Sequence, residues 1–356
     1  MYGTDAGRRH RAVRRHRAVR TGLTVGGAVV GAMALLTACF SSSGKSGDVK
    51  NPDEGKPSQA GKPFWVNPDG SAARALDKLR KENKAEEAAL IEKIASQPVG
   101  EWIGTDDPEG ETRHITKAAA KANTSALLVL YNIPHRDCGQ YSQGGAPDGN
   151  TYRDWLNKVV NGIGDRKASV IVEPDALPHI LDPGCVPRAL HDEQYALIKE
   201  AVEKLKGLPN TKVYVDAGNP HWIRDAGALV GPLKRAGIER ADGFSLNVSN
   251  YQTTKENIAY GKKLSAMVGG KHFVIDTSRN GNGPIEGEGA EEDAEAWCNP
   301  PGRALGEPPT TDTGEELVDA YLWIKRPGES DGTCKGGPKA GEWYHTYALE
   351  LARNSR

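Results

Sequence analysis

Six short apolar runs recur along the chain, at residues 127–133, 169–172, 212–215, 244–248, 272–275 and 321–324. They are rich in β-branched residues and near-continuous rather than alternating, the pattern of strands buried on both faces of a parallel sheet. Helix-spaced segments separate them; Leu197, Ile198, Ala201, Val202 and Leu205 show the spacing. Residues 72–95, rich in Ala, Leu, Lys and Glu, predict a further helix ahead of the first run. This alternation, over about 290 residues, predicts an α/β fold: a (β/α) barrel of parallel strands, closed or nearly closed. A chain of 356 residues is long enough to bury such a core.

Nearly every run ends in chemically capable residues. The first leads to Arg136-Asp137-Cys138 and the second to Glu173-Pro174-Asp175. The third leads to Asp216, and the fourth carries Asn247 and leads to Tyr251. The fifth leads to Asp276, Arg279 and Asn280, and the last to Lys325, Glu329 and Asp331. A single Asp after a strand is usually a turn residue or helix cap. Six such endings at the C-terminal face of a parallel barrel predict one cleft shared by several carboxylates.

The first 62 residues are of another kind. Residues 8–19 repeat RRHRAV, and an apolar run over 23–38 ends in Leu36-Thr37-Ala38-Cys39. The run is short for a membrane span, so a signal peptide over 1–38 is expected. Its ending resembles a bacterial lipobox, which would make Cys39 the lipidated first residue of a secreted protein anchored to the outer face of the cell membrane. Residues 39–62 are Ser, Gly, Lys, Asp and Pro with little apolar content and read as a flexible tether. The folded part is expected over 63–356.

Charge and cysteines exclude some functions. Seven arginines and one aspartate precede Cys39, so this segment carries +6 of a total of -1 and leaves -7 for the rest. An acidic body is a poor nucleic-acid binder. The five cysteines form no CxxC pair, and the nine histidines include no HxH or HExxH cluster, so no metal site is expected. Nor is a cofactor: the glycine-rich stretch 281–289 lacks a phosphate-loop pattern. With Cys39 set apart, four cysteines allow two disulfides in any of three pairings.

The strand-end stretches YNIPHRDC (131–138), VIVEPDALP (170–178), VYVDAG (213–218), FSLNVSNY (244–251), DTSRNGNG (276–283), WCNPPGRALGEPPT (297–310) and VDAYLWIKRPGESDG (318–332), in this order, resemble glycoside hydrolase family 6. The resemblance implies a distorted, incompletely closed barrel that cuts β-1,4-glucan with inversion. It implies Asp175 as the general acid, Asp137 as a neighbouring carboxylate that keeps that acid protonated, and Asp331 at the position proposed for the base. Tyr131 would lie beneath the sugar being cleaved. Asp216 would serve substrate binding and the structure of the site, a structural turn aspartate being an equal reading; Asn247, Lys325 and Glu329 would bind substrate, and Trp102, Trp222 and Trp297 are candidate sugar platforms. The resemblance also pairs Cys138 with Cys185 and Cys298 with Cys334.

Two positions depart from the family pattern. Gln143 stands where a serine helps to place the attacking water, with Ser142 beside it; Asn219 stands where histidine is common. The segment from Asp331 to Trp343 is short, and no long insertion follows Cys138, so an open cleft and internal cutting are expected of a monomer. The rivals are an exo-acting cellobiohydrolase and a non-catalytic glucan-capturing lipoprotein, the latter having no need of Asp137, Asp175 and Asp331 together.

Overall fold

The computed structural model describes residues 58–285 and 295–355. The expected signal peptide, Cys39 and most of the tether lie outside the described residues.

Among the described residues, helices α1 (Ser71–Lys81) and α2 (Ala85–Ala95) precede β1 (Glu101–Trp102), α3 (Pro108–Lys121), β2 (Ala126–Leu130), α4 (Gly149–Ile163) and β3 (Ala168–Val172). Then come α5 (Ala176–Leu181), α6 (Arg188–Lys206), β4 (Thr211–Asp216), α7 (Val230–Arg235), β5 (Gly243–Leu246), α8 (Thr254–Met267), β6 (His272–Asp276), β7 (Val318–Leu322) and α9 (His345–Asn354). The seven strands pair in sequence order, and each neighbouring pair is parallel. The sheet curls into an incomplete barrel, as expected.

Strand residues divide by parity. Leu128, Leu130, Val170, Val172, Val213, Val215, Phe244 and Phe273 join α3, α4, α6 and α8 in the largest core cluster. Their alternates Leu127, Val129, Ile171, Tyr214, Val274 and Leu322 fill the barrel with Phe64 and Ile324. Burial on both sides explains why the strands read as continuous apolar runs. A third cluster joins α1, α2 and α9 over Trp323.

No ladder joins β7 to β1 among the described residues. The seam is crossed instead by the Gly100 amide, which donates to the Trp323 carbonyl at 2.8 Å, and by the Trp102 indole N–H, which donates to the Ile324 carbonyl at 3.0 Å. Gly100 is required here, because a Cβ would lie 2.4 Å from that Ile324 oxygen.

Three expectations are corrected. The helix over 72–95 is two helices, broken where Asn83 turns left-handed (φ 57°) and the Lys84 amide closes back on the Leu79 carbonyl at 3.0 Å. The strand over 127–133 stops at Leu130, because the Asn132 and Ile133 amides donate to the buried Glu173 carboxylate, both at 2.9 Å, instead of to a strand. The last strand begins at Val318 rather than 321. The two-residue β1 was not foreseen.

Candidate active site

The C-terminal strand ends surround a cleft of about 1130 Å³, lined by Asp137, Asp175 and Asp331. Nine of the eleven non-glycine residues with positive φ among those described lie in the loops at this face, including Asp137, Cys138, Glu173, Asp175, Asn247 and Ser249. Each costs roughly 1–3 kcal/mol. The other two, Asn83 and Asn123, end helices. Backbone strain is thus concentrated where the carboxylates are aimed.

Asp175 (φ 69°) sits at the N-cap of α5, but its side chain makes no cap hydrogen bond. Its amide donates to Asp216 Oδ2 at 2.9 Å. The same carboxylate accepts from the Gly218 amide at 3.1 Å and the Ser245 hydroxyl at 3.0 Å. Burial, then the charges of Asp216 and Asp137, push the Asp175 carboxyl well above the usual carboxylate range. Burial also raises Asp216, to about 6, while its hydrogen bonds pull it down. One proton shared by this pair belongs on Asp175: Asp216 is the acceptor of several donors, and Asp175 faces the cleft without them. Asp137 is also raised by burial, opposed by the Ser142 amide and by Arg136.

Asp331 is the opposite case. Arg279 reaches its Oδ2 at 2.7 Å and Lys325 its Oδ1 at 2.9 Å. The Asn299 amide at 3.0 Å and the Tyr251 hydroxyl at 3.2 Å add donors to Oδ2. Burial alone would raise this carboxyl, but Arg279 and Lys325 overcome it and hold Asp331 well below the usual range. Arg279 is wholly buried, lies over the Tyr251 ring at 4.6 Å and donates to the Ser249 carbonyl at 2.6 Å. The cleft therefore holds one carboxyl whose surroundings favour the protonated form and another whose surroundings favour the ionised form. Arg279 and Tyr251 follow strand ends and Asn299 lies in the connection between β6 and β7; nothing in the sequence marks the three as converging on Asp331.

Tyr131 lines the cleft between the Arg136 guanidinium, 4.7 Å over its ring, and Trp102, which meets it edge-on at 5.3 Å. Trp222 and Trp297 also line it, as do Lys325 and Glu329. Glu329 accepts from the Ser71 hydroxyl at 2.8 Å and pairs with Arg326 at 3.2 Å.

Asp216 and Asn247 do not reach the cleft. They are 1% and 0% exposed, and both are committed to protein partners. The Asn247 amide group donates to the Asp276 carbonyl at 2.8 Å and accepts from the Gln252 amide at 3.1 Å. Both residues brace the loops from behind.

The disulfides are Cys138–Cys185 and Cys298–Cys334, with Cα separations of 5.2 and 6.2 Å. Among the described residues, the group with metal-ligand proximity is Cys138, His179 and Cys185, and its two sulfurs are spent in a disulfide. Ser142 and Gln143 both line the cleft, and the Ser142 amide donates to Asp137. Asn219 is buried and holds the turn that carries Trp222, its Oδ1 accepting from the His221 and Trp222 amides, each at 3.1 Å. Tyr141 reaches from the loop after β2 to the loops after β6 and β7. Its hydroxyl donates to Glu295 at 2.7 Å, its ring lies 6.1 Å from Trp297, and it packs on Gly332, where a Cβ would lie 2.2 Å from the ring.

Known proteins resemble this chain in sequence and fold. The chain is 43% identical over 297 residues to endoglucanase A of Cellulomonas fimi, covering 82% of this chain and 61% of that protein. It therefore spans about six tenths of that relative's length. It is 42% identical over 299 residues to endoglucanase 1 of Streptomyces halstedii, covering 81% and 88%. The solved endoglucanase Cel6 of Mycobacterium tuberculosis, in complex with methyl-cellobiosyl-4-deoxy-4-thio-β-D-cellobioside, superposes with a TM-score of 0.76 at 44% identity, covering 83% of this chain and 98% of that one. The sequence model of Glycosyl hydrolases family 6 matches residues 59–355, nearly the whole described fold, and the chain belongs to that family.

Proposed function

We propose that this chain hydrolyses internal β-1,4 bonds of glucan with inversion, Asp175 giving its proton to the departing oxygen. One observation carries this reading: Asp175 is buried beside Asp216 and Asp137, which raise its pKa, while Asp331 in the same cleft is paired with Arg279 and Lys325, which lower its own. Inversion needs an acid on one face of the sugar and a proton acceptor for water on the other. Asp331 is a weak base, because Arg279 and Lys325 already neutralise it. It suffices if the bond to the leaving group is largely broken first. Water bonding to an oxocarbenium-like carbon becomes strongly acidic, and its proton passes to Asp331 directly or through a second water. Until then Asp331 acts as a fixed anion toward the developing positive charge. Ser142 and Gln143, beside Asp137, are the polar groups available to hold the attacking water. Tyr131 supports the reacting sugar, Lys325 and Glu329 bind its neighbour, and Trp102, Trp222 and Trp297 carry further sugars.

Proton NMR of the first-formed sugar tests the reading. Inversion of a β bond gives the α-anomer first; the β-anomer first would overturn it. Internal cutting is supported by the relatives named endoglucanases. The enzyme is further proposed to act as a monomer, secreted and held at the outer face of the cell membrane through lipid on Cys39, with 39–62 as its tether. Cys39→Ser should abolish membrane partitioning of the mature protein, and unchanged partitioning would refute the anchor.

A further inference from the structure

Asn219 lines the cleft but is only 3% exposed, because its side chain is turned onto its own backbone. The two amides it accepts from belong to the residues two and three positions on, the geometry of an Asx turn. Its carbonyl accepts the Ile223 amide at 3.0 Å, which extends the same turn. The turn is pressed against α5. Gly218 (φ 66°) approaches Pro178 so closely that a Cβ would lie 2.8 Å from the proline ring and 3.6 Å from the Trp222 indole. Trp222 then meets the His179 ring edge-on, centroids 5.0 Å apart. His179 is one helical turn beyond the acid, its amide donating to the Asp175 carbonyl at 2.9 Å. Burial lowers the His179 pKa to about 4, so a neutral ring backs the indole.

We propose that Asn219 is a positioning residue: it sets Trp222 against α5 and so governs the binding of long glucan chains without touching the sugar. The inference rests on Trp222 being a sugar platform, as read above. Where a side chain at this position projects into the cleft it can contact substrate directly. Here the carboxamide oxygen is used by the turn, so the contribution to binding passes through Trp222.

Five variants test it, each assayed with cellohexaose and with the shortest cello-oligosaccharide the enzyme cleaves. Trp222→Ala should raise KM for cellohexaose. Asn219→Ala should raise it roughly fivefold, the scale of a lost buried hydrogen bond, with kcat within about twofold. Asn219→Gln retains the amide but is one methylene too long to close the turn, so it should match Asn219→Ala and serves if that variant folds poorly. Asn219→Asp keeps the acceptor and should restore KM. Added to Trp222→Ala, the Asn219→Ala change should have no further effect on KM. If Trp222→Ala leaves KM unchanged, the platform reading fails and the inference falls with it. If Trp222→Ala raises KM but Asn219→Gln does not, or if the Asn219 effect persists in full without Trp222, the platform stands and the role of Asn219 is refuted.

Discussion

The Asp175 amide donates to Asp216 Oδ2 at 2.9 Å, so one carboxylate both fixes the backbone of the proposed acid and lends it a negative neighbour. Position and protonation are therefore set by the same group. After burial, Asp216 is the leading cause of the raised Asp175 pKa, ahead of Asp137. The motif alone pointed to Asp137.

The pH profile should report this order. An acid must be protonated to act, so kcat/KM falls as pH rises through the Asp175 pKa. Removing a nearby negative charge stabilises the Asp175 anion and lowers that pKa. Asp137→Asn should therefore move the alkaline limb to lower pH, and Asp216→Asn should move it further while also reducing kcat. Profiles of kcat/KM on a soluble glucan check this; a limb that stays in place in both variants would remove Asp175 as its source.

Asp175→Ala should lower kcat on unactivated glucan by about 10²–10⁴-fold, the range for general acid catalysis. A cellobioside with a nitrophenolate-type leaving group needs little protonation and should be affected far less. Equal losses on both substrates would show that Asp175 has another role.

Arg279→Met removes one of two cations from a buried carboxylate. Breaking such a pair typically costs about 3–5 kcal/mol of stability, and denaturant unfolding at neutral pH should show a loss of that order. The sign with pH follows from the depressed Asp331 pKa. Its stabilising contribution is complete above the ordinary value of 3.8 and is lost as pH falls toward the lower folded value. In the Arg279→Met variant part of that contribution is gone at every pH above this window. The difference between variant and wild type should therefore narrow in strong acid.

Tyr141 reaches over to Gly332 and Trp297 beside Asp331. Internal cutting should lower the viscosity of carboxymethyl-cellulose well before reducing ends accumulate. Tyr141→Ala should increase the viscosity lost per reducing end formed, because a bound chain would no longer pass this side chain. The same ratio in both proteins would mean that the contact opens without cost.

Much of this architecture could be read from the residues alone, and the failures are instructive. Strands β3 and β6 lie within one residue of expectation, since an apolar, β-branched run buried on both faces has few alternatives. The two-residue β1 has no such run: its place comes from pairing with Leu128 and Val129 of β2, and from Gly100 and Trp102 bonding to Trp323 and Ile324 just past β7. The break at Asn83 was hidden because both flanking segments are good helix formers. That Asp216 and Asn247 sit behind the cleft wall was hidden for a different reason. A polar residue at a strand end looks alike whether it faces the cleft or the wall, and the partners that decide, Ser245 and Gln252, come from other loops. The pairing of Asp331 with Arg279 spans 52 residues, beyond the reach of any local pattern.

The seam between β7 and β1 bears on how this family diversifies. Elsewhere around the barrel a ladder of several bonds ties each strand to the next, so its width is set by register. At the seam an amide–carbonyl bond and an indole do that work, and the loops that flank it line the cleft, with Asp331 after β7 and Gly104 and Thr105 after β1. A relative could lengthen those loops into a roof, or trim them to bare the groove, while leaving six strand pairings and the aspartates behind them untouched. The choice between gripping a chain's end and seizing its middle is thereby left to the most easily remodelled part of the scaffold.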